Sequence, residues 1–280
     1  MRENSATRRL PFFKMHGGGN DFVLMDHREG IIPETEQSRF ARRVCAPKMG
    51  VGADGLILIE NSEVADLRWQ FFNADGSVAE MCGNGARCAA RFAVLNDLAS
   101  PHLTIQTLAG IIHCEVEDRS TRVLMADVGD LRLNLTIPLQ GETLAGHFIK
   151  VGVPHVVVLT ENLEEVPVVQ WGREVRFHDM FQPAGTNVNF VRTKGHHALE
   201  VRTYERGVED ESLACGTGAV ASALICATLG LVASPLAVHT RGGEVLTVFF
   251  QTAGQQVTEV FLEGEALVVY QGELWFDELK

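Results

Sequence analysis

The same cysteine–glycine pattern occurs twice in the sequence. The stretch MCGNGARC spans residues 81–88, and ACGTGAVA spans residues 214–221. Cys82 and Cys215 each precede a Gly-x-Gly-Ala sequence, and they lie 215 − 82 = 133 residues apart, close to half of the 280-residue chain. A helical pattern follows each cysteine. This arrangement predicts an internal duplication in which one helix of each half begins directly after the cysteine.

Short alternating segments surround both helices and predict β-strands. In the first half they are FVLMD, LILIE, LRWQFFN, LTIQT, GIIHCEV and RVLMADV. In the second half they are HFIKVGVPHVVVL, NVNFVRT, ALEVRTYE, EVLTVFF, VTEVFL and ALVVYQG. A further helix is predicted in TEQSRFARRVC, and the stretch GTGAVASALICATLGL is apolar on nearly every side, which is typical of a buried helix.

The predicted fold class is therefore α+β. We expect two pseudo-symmetric halves, each a curled, mostly antiparallel, barrel-like sheet around a central helix, with the active site in the cleft between them. The expected N-terminal half covers residues 1–127 and is completed by residues 272–280. The C-terminal half is expected to cover residues 128–271.

Composition excludes several classes of function. A net charge of −12 and an aromatic content of 7% argue against a nucleic-acid surface, which needs clustered basic residues and stacking platforms. No run approaches the 18 apolar residues of a membrane-spanning helix, and the first residues lack the apolar segment of a signal peptide. We therefore expect a cytoplasmic protein without membrane or nucleic-acid partners. The oligomeric state stays open, with a homodimer as one alternative.

The six cysteines are too sparse for a disulfide scaffold. There is no Cys-x-x-Cys pair and no His-Glu-x-x-His motif, so no metal site is predicted. No lysine lies in a plausible cofactor loop, so pyridoxal phosphate is not expected either. Free cysteine usually packs as a small apolar side chain, and this is the interpretation for Cys45, Cys88, Cys114 and Cys226.

Cys82 and Cys215 differ from the other four because each precedes a helix start flanked by glycine. The free N–H groups and the positive end of the helix dipole favour an anion there, either a bound carboxylate or the thiolate itself. Two thiols on opposite sides of one carbon can invert a stereocentre, since one removes a proton and the other returns one. The helix starts can stabilise the carbanion through the adjacent carboxylate.

Several long motifs carry a resemblance to one enzyme family. They are KMHGGGNDFV at 14–23, FNADGSVAEMCGNGARC at 72–88, GVPH at 152–155, TNVNF at 186–190 and YERGVEDESLACGTGA at 204–219. In these motifs the chain resembles the diaminopimelate epimerases over nearly its whole length. The resemblance implies a cofactor-independent isomerase that interconverts L,L- and meso-diaminopimelate in lysine and peptidoglycan precursor synthesis.

The resemblance also implies a set of site residues. Cys82 and Cys215 are implied as the catalytic acid/base pair. The backbone at Gly83, Asn84, Gly216 and Thr217 is implied to bind the reacting carboxylate. The distal amino and carboxylate groups are implied to contact Asn20, Asn73, Asn187, Glu205 and Arg206. His155 and Glu205 are implied to lie near the thiols and to modulate their ionisation.

Other interpretations of these residues remain open from the sequence. Asn20 and Asn73 are also typical of turns, Glu205 and Arg206 of a solvated strand end, and His155 of a core histidine bonded to backbone carbonyls. The chain departs from the family at two positions, since many members carry Asn in place of Val153 and some carry Gln in place of Gly55. The segment between Glu205 and Cys215 is also one residue longer than the commoner spacing in the family.

Two other functions compete with this prediction. The proline and hydroxyproline racemases share the two-thiol arrangement, but their first Cys-Gly is expected to be followed by histidine, where this chain has Asn84. A thiol redox or ligand-binding protein needs a resolving cysteine, and Cys88 is expected to lie well inside the helix that starts after Cys82.

Overall fold

The computed structural model describes residues 9–125, 128–253 and 256–276. Within it the chain forms two compact units, Met1–Val123 with Glu265–Lys280 and Leu124–Gly264. The sequence predictions for the first eight residues, for the end of RVLMADV and for the last four residues lie outside the described residues.

The described residues contain seventeen strands and four α-helices. The first group is β1 Arg9–Gly17, β2 Asn20–Asp26, α1 Glu34–Cys45, β3 Gly55–Glu60, β4 Leu67–Asn73, α2 Gly83–Leu95, β5 His102–Thr107, β6 Gly110–Glu117 and β7 Ser120–Leu124. The second group is β8 Val128–Pro138, β9 Thr143–Val151, β10 Val153–Leu159, α3 Val168–Arg176, β11 Asn187–Thr193, β12 Ala198–Glu205, β13 Asp210–Ser212, α4 Gly216–Thr228, β14 Leu236–His239, β15 Val245–Ala253, β16 Gln256–Glu265 and β17 Leu267–Trp275.

The two units repeat one order of strand pairing. The strands follow the order β17-β1-β2-β3-β4-β5-β6-β7 in the first unit and β8-β9-β10-β11-β12-β14-β15-β16 in the second. In both orders the successive pairings are antiparallel, antiparallel, parallel, antiparallel, parallel, antiparallel and antiparallel. The predicted duplication and the mostly antiparallel, curled sheets are confirmed. The strand β17 occupies in the first unit the place that β8 has in the second.

Helices lie in the connections between the parallel strands, because parallel neighbours need a crossover. In the first unit α1 joins β2 to β3 and α2 joins β4 to β5; in the second α3 and α4 have the same places. The residues of β3 alternate between the two helices. Ile57 and Ile59 pack in the cluster that contains α2, whereas Leu56 and Leu58 pack in the cluster that contains α1. A strand covered on both faces is apolar throughout, as LILI is.

Five of these strands and helices were not predicted from the sequence, and one of them, β13, has only three residues. The helix α3 has only nine residues and contains Gly172, so its helical pattern is weak. Pro11 interrupts the alternation of β1, β8 is exposed along most of its length, and β14 has only four residues. The three predicted helices α1, α2 and α4 are confirmed.

Gly172 is the position where α3 packs on the sheet, and it supplies a test of this packing. A Cβ atom at Gly172 would lie 2.4 Å from the Cβ of the buried Tyr204 on β12. We expect Gly172→Ala to lower the free energy of unfolding by about 1–3 kcal/mol, since overpacking outweighs the gain in helix propensity. Urea unfolding measures this change. As a control, Gly129→Ala adds a methyl group to open space and should shift the value by less than about 0.5 kcal/mol; equal effects would contradict the packing model.

Candidate active site

Cys82 is the residue before the first turn of α2. Its backbone is extended (φ −148°, ψ 119°), and its Sγ accepts a hydrogen bond from the N–H of Gly85 at 3.4 Å. A Cβ on Gly83 would meet nothing within 4 Å, whereas a Cβ on Gly85 would lie 3.2 Å from Ile57 Cδ1. The first glycine therefore leaves open space at the helix start, and the second lets the helix approach the sheet.

Cys215 has the same place before α4. It is 7% exposed, and its Sγ lies 3.6 Å from the Oγ1 of Thr217. A Cβ on Gly218 would lie 2.3 Å from Asn189 Oδ1 and 3.2 Å from the sulfur. Only glycine fits there, and Gly218 corresponds to Gly85 in α2. The repeated Cys-Gly-x-Gly sequence thus lets each helix pack its first turn on the sheet directly behind the cysteine.

In the first unit, a chain of polar side chains connects the start of α2 to the start of β2. The amide of Asn84, which is buried, donates to Asn20 Oδ1 at 2.8 Å, and Asn20 Nδ2 donates to Asp54 Oδ2 at 3.1 Å. The same carboxylate oxygen accepts from the N–H of Asp21 at 3.2 Å. The structure therefore brings two predicted site residues together and adds Asp54, which the sequence did not single out.

Asn73 makes turn contacts. Its Nδ2 donates to Ser77 Oγ at 3.0 Å, its N–H donates to the Ser77 carbonyl at 2.9 Å, and its carbonyl accepts from Gly76 N–H. Its side chain is exposed. These contacts fit the turn interpretation, and its role in substrate binding stays a prediction.

In the second unit, Asn187 fixes the backbone at Arg206. The Asn187 side chain is 3% exposed; its Nδ2 donates to the Pro154 carbonyl at 3.1 Å, and its Oδ1 accepts from the N–H of Arg206 at 2.8 Å. The guanidinium of Arg206 donates to the carbonyl of Ala184 at 3.0 Å. Arg206 is half-buried and anchored, unlike a freely solvated strand-end residue.

His155 is completely buried and is bonded to a side chain. Its Nδ1 lies 3.2 Å from Nδ2 of Asn189, which also donates to the Val156 carbonyl at 3.0 Å. Burial, aided by the charge of Arg206, lowers the pKa of His155 to about 3, so the ring is neutral at pH 7. Its Nε2 has no hydrogen-bond partner among the described residues. The interpretation as a core histidine bonded to backbone carbonyls does not fit this geometry.

Asn189 was not among the predicted site residues, although it lies within the TNVNF stretch. The sequence pattern that could have identified it is the alternation of β11, which places Asn187, Asn189 and Val191 on one face of the sheet. Val191 packs in the cluster that contains α4, whereas Val188 and Phe190 pack in the other cluster. Asn189 therefore lies on the face covered by the helix that follows Cys215.

Glu205 is the last residue of β12 and lies on the face of the sheet that α4 covers. Burial raises the pKa of its carboxyl group, and the nearby Ser212 hydroxyl acts in the opposite direction. The loop after it is fixed by Glu209, which has a left-handed backbone (φ 58°). The Glu209 carboxylate accepts from Arg176 Nε at 3.2 Å and from Gly207 N–H at 3.1 Å. These contacts hold the segment in which the chain is one residue longer than the commoner family spacing.

The two positions at which the sequence is expected to depart from the family lie at strand starts. Val153 is half-buried at the first position of β10. Gly55 starts β3, and a Cβ there would lie 2.6 Å from Phe71 Cε2 and 2.7 Å from the Phe72 carbonyl oxygen. A glutamine does not fit at position 55 on this backbone. Any contact that such a glutamine would make with the distal end of a substrate must therefore come from other residues.

The remaining cysteines are core residues, as predicted. Cys45, Cys88, Cys114 and Cys226 are each at most 2% exposed, and burial raises the pKa of Cys45, Cys114 and Cys226 to about 12. Cys88 lies within α2, as expected. Among the described residues, no group of three or more His, Cys, Asp or Glu side chains is placed to hold a metal ion, and no helix is long and apolar enough to cross a membrane.

The fold places the chain in a class of duplicated α+β proteins. A phenazine biosynthesis protein of the PhzF family from Bacillus anthracis aligns with a TM-score of 0.68 at 16% identity, covering 95% of this chain and 99% of that one. A hydroxyproline epimerase from Agrobacterium vitis, with bound trans-4-OH-L-proline, aligns with a TM-score of 0.66 at 15% identity, covering 98% and 94%. At these identities the similarity establishes the fold alone.

Sequence comparison identifies the family within this class. The family model for diaminopimelate epimerase matches residues 12–132 and 147–269. The diaminopimelate epimerase of Aquifex aeolicus (strain VF5) is 47% identical over 275 residues, covering 95% of this chain and 98% of the relative. That of Archaeoglobus fulgidus is 41% identical over 287 residues, covering 97% and 99%. The chain belongs to the diaminopimelate epimerase family, and the resemblance seen in the motifs is confirmed.

The raised pKa of Glu205 gives a testable dependence of stability on pH. A carboxyl group whose pKa is higher in the folded state contributes stability that is present below its unfolded pKa and is lost as pH rises through its folded pKa. Glu205→Gln mimics the protonated group, so at pH 7 we expect the variant to have a higher free energy of unfolding than the wild type. The difference should shrink at acidic pH, as urea unfolding across pH will measure. A difference that does not change with pH would contradict the burial of this charge.

Proposed function

We propose that the protein is a cofactor-independent isomerase that interconverts L,L- and meso-diaminopimelate, with Cys82 and Cys215 as the two acid/base groups. The observation that carries the proposal is that a member of this family has a cysteine directly before the first turn of each of its two duplicated, buried helices. Proline-type substrates are the second possibility from the sequence, but the similarity to such enzymes is limited to the fold.

The proposed reaction needs one thiolate and one thiol. The thiolate takes the α-proton, so an S–H bond forms as the C–H bond breaks, and the electron pair delocalises from the α-carbon into the adjacent carboxylate. The second thiol gives its proton to the opposite face of the carbon and becomes a thiolate. The charge is conserved, the stereocentre is inverted, and neither pyridoxal phosphate nor a metal enters the scheme.

The two helix starts supply the stabilisation of the carbanion in this proposal. We assign the backbone at Gly83, Asn84, Gly216 and Thr217 to the substrate carboxylate. Free N–H groups at a helix start and the positive end of its dipole favour the negative charge that develops there. The open space at Gly83 supports this assignment, because a backbone donor must be approached closely.

The polar groups around the cysteines are assigned to orientation of the substrate and to control of the thiols. Asn20, Asn73, Asn187, Glu205 and Arg206 are proposed to contact the distal amino and carboxylate groups. The support is strongest for Arg206, whose backbone is anchored by Asn187 and whose guanidinium can bind a carboxylate with two hydrogen bonds. His155 and Glu205 are proposed to modulate the thiols; the neutral state of the His155 ring makes it a hydrogen-bond donor rather than a cation.

The proposed function is tested by proton exchange in deuterated water. The first epimer formed should carry deuterium at its new α-position while unreacted diaminopimelate keeps its protium, because the thiol that returns the hydrogen has already exchanged with solvent. NMR and mass spectrometry of the early product measure this. Cys82→Ser and Cys215→Ser should each almost abolish epimerisation, since a serine hydroxyl is far too weak an acid to replace a thiol.

A matched control lies in the same helix as Cys215. Cys226 is completely buried in α4, and Cys226→Ala should keep most of the activity. L-Proline and hydroxyproline offered as substrates should not exchange. Product that retains its protium, or near-normal turnover by either Cys→Ser variant, would rule out the two-thiol mechanism.

The distal carboxylate contact is tested at Arg206. Arg206→Lys replaces a planar donor with a point charge, so we expect kcat/KM to fall by tenfold or more, about 2 kcal/mol, as for loss of a charge-assisted hydrogen bond. Steady-state kinetics with diaminopimelate provide the measurement. Arg192→Lys is the control, because Arg192 pairs with Glu200 on neighbouring strands and should leave kcat/KM unchanged. Equal values for wild type and Arg206→Lys would remove Arg206 from the site.

A further inference from the structure

We infer that Asn189 is a positioning residue that holds His155 in the tautomer with its proton on Nε2, so that His155 donates a hydrogen bond to negative charge near the start of α4. This inference rests on the proposed function for its catalytic consequence, but the tautomer itself can be measured without any substrate. It follows from the hydrogen-bond partners of one buried amide.

The orientation of the Asn189 amide is determined by its surroundings. The carbonyl of Val156 can only accept a hydrogen bond, so the atom 3.0 Å from it must be Nδ2. The other amide atom is then Oδ1, which accepts from the hydroxyl of Thr203 at 3.0 Å. Asn189 is 0% exposed and Thr203 is 3% exposed, so water does not compete for these bonds. The reversed amide would place two acceptors against each other at Val156.

This orientation determines the protonation of His155. The donor Nδ2 of Asn189 lies 3.2 Å from Nδ1 of the ring, so Nδ1 must accept. A neutral imidazole has one acceptor nitrogen and one donor nitrogen, which leaves the proton on Nε2. The second proton of a charged ring would point at the Asn189 N–H, so the amide also disfavours the cation. Burial of the ring acts in the same direction.

The donor fixed in this way is left without a partner. Nε2 of His155 is buried and has no hydrogen-bond partner among the described residues, and leaving a buried donor unpaired is unfavourable. The same Asn189 amide packs against the first turn of α4, where only glycine fits at position 218 beside the Cys215 sulfur. A donor with a fixed orientation on this face of the sheet suits an anionic acceptor. Such an acceptor exists transiently in the proposed reaction, when negative charge develops on the substrate.

Asn189→Asp tests the assignment, because it keeps the shape of the side chain and replaces its N–H donor with an acceptor. In the full-length wild type labelled with ¹⁵N-histidine, the His155 resonance should show a protonated Nε2 and an unprotonated Nδ1 at neutral pH. In Asn189→Asp, Nδ1 should become protonated, and kcat should fall roughly a hundredfold with a much smaller change in KM, as for loss of an oriented donor. Asn61→Asp makes the same chemical change at an exposed position and should alter neither readout.

The outcomes separate this inference from the proposed function. A wild-type ring that is protonated on Nδ1 or charged would overturn the inference, and this measurement does not require the variant to fold. An unchanged kcat in an Asn189→Asp enzyme with an inverted tautomer would also overturn the catalytic role. If the wild type shows the Nε2–H tautomer but does not act on diaminopimelate, the tautomer assignment stands and the proposed substrate is wrong.

Discussion

The packing of a helix start against the sheet, directly behind a cysteine, is the contact on which the candidate site depends. Helices α2 and α4 are buried along most of their length, so each can begin only where its first turn fits the strands beneath it. Gly85 and Gly218 allow this approach, since a Cβ at Gly218 would collide with Asn189 Oδ1 at 2.3 Å and a Cβ at Gly85 would press against Ile57 Cδ1 at 3.2 Å. The cysteine before each first turn is therefore placed by core packing, which is far more rigid than a loop.

The strand registers show how the two halves diverged around this common core. In the parallel pairs, Phe22 lies opposite Gly55, and His155 lies opposite Asn187. These positions are equivalent, with sequence offsets of 155 − 22 = 133 and 187 − 55 = 132 residues. The second unit therefore carries an imidazole and an amide where the first has a phenyl ring and a hydrogen atom. The thiols were kept in both halves, but their surroundings differ.

Sequence reasoning predicted the parts of the fold in which local pattern and burial agree. The helix α4 and the strand β3 are apolar because they are enclosed, and their patterns could be recognised. The helix α3 could not, because it exists through the contact of Gly172 with Tyr204, 32 residues further along the chain by 204 − 172. The cysteines were recognisable because their motif is repeated. Asn189 was not, since its role depends on three partners that only the strand register brings together.

Burial of the polar groups on the face of the sheet that α4 covers has opposite consequences for stability and for chemistry. A neutral His155 whose Nε2 has no hydrogen-bond partner among the described residues and a Glu205 whose pKa is raised both make the folded state less stable than apolar residues would at the same positions. The same burial keeps these groups oriented and weakly solvated before a ligand arrives, so little reorganisation is needed when charge develops nearby. The core clusters around α3 and α4 offset this cost with large apolar contacts. The duplicated fold therefore holds a neutral imidazole and a carboxyl group of raised pKa on rigid strands, where the imidazole is a fixed hydrogen-bonding group and not a base at neutral pH.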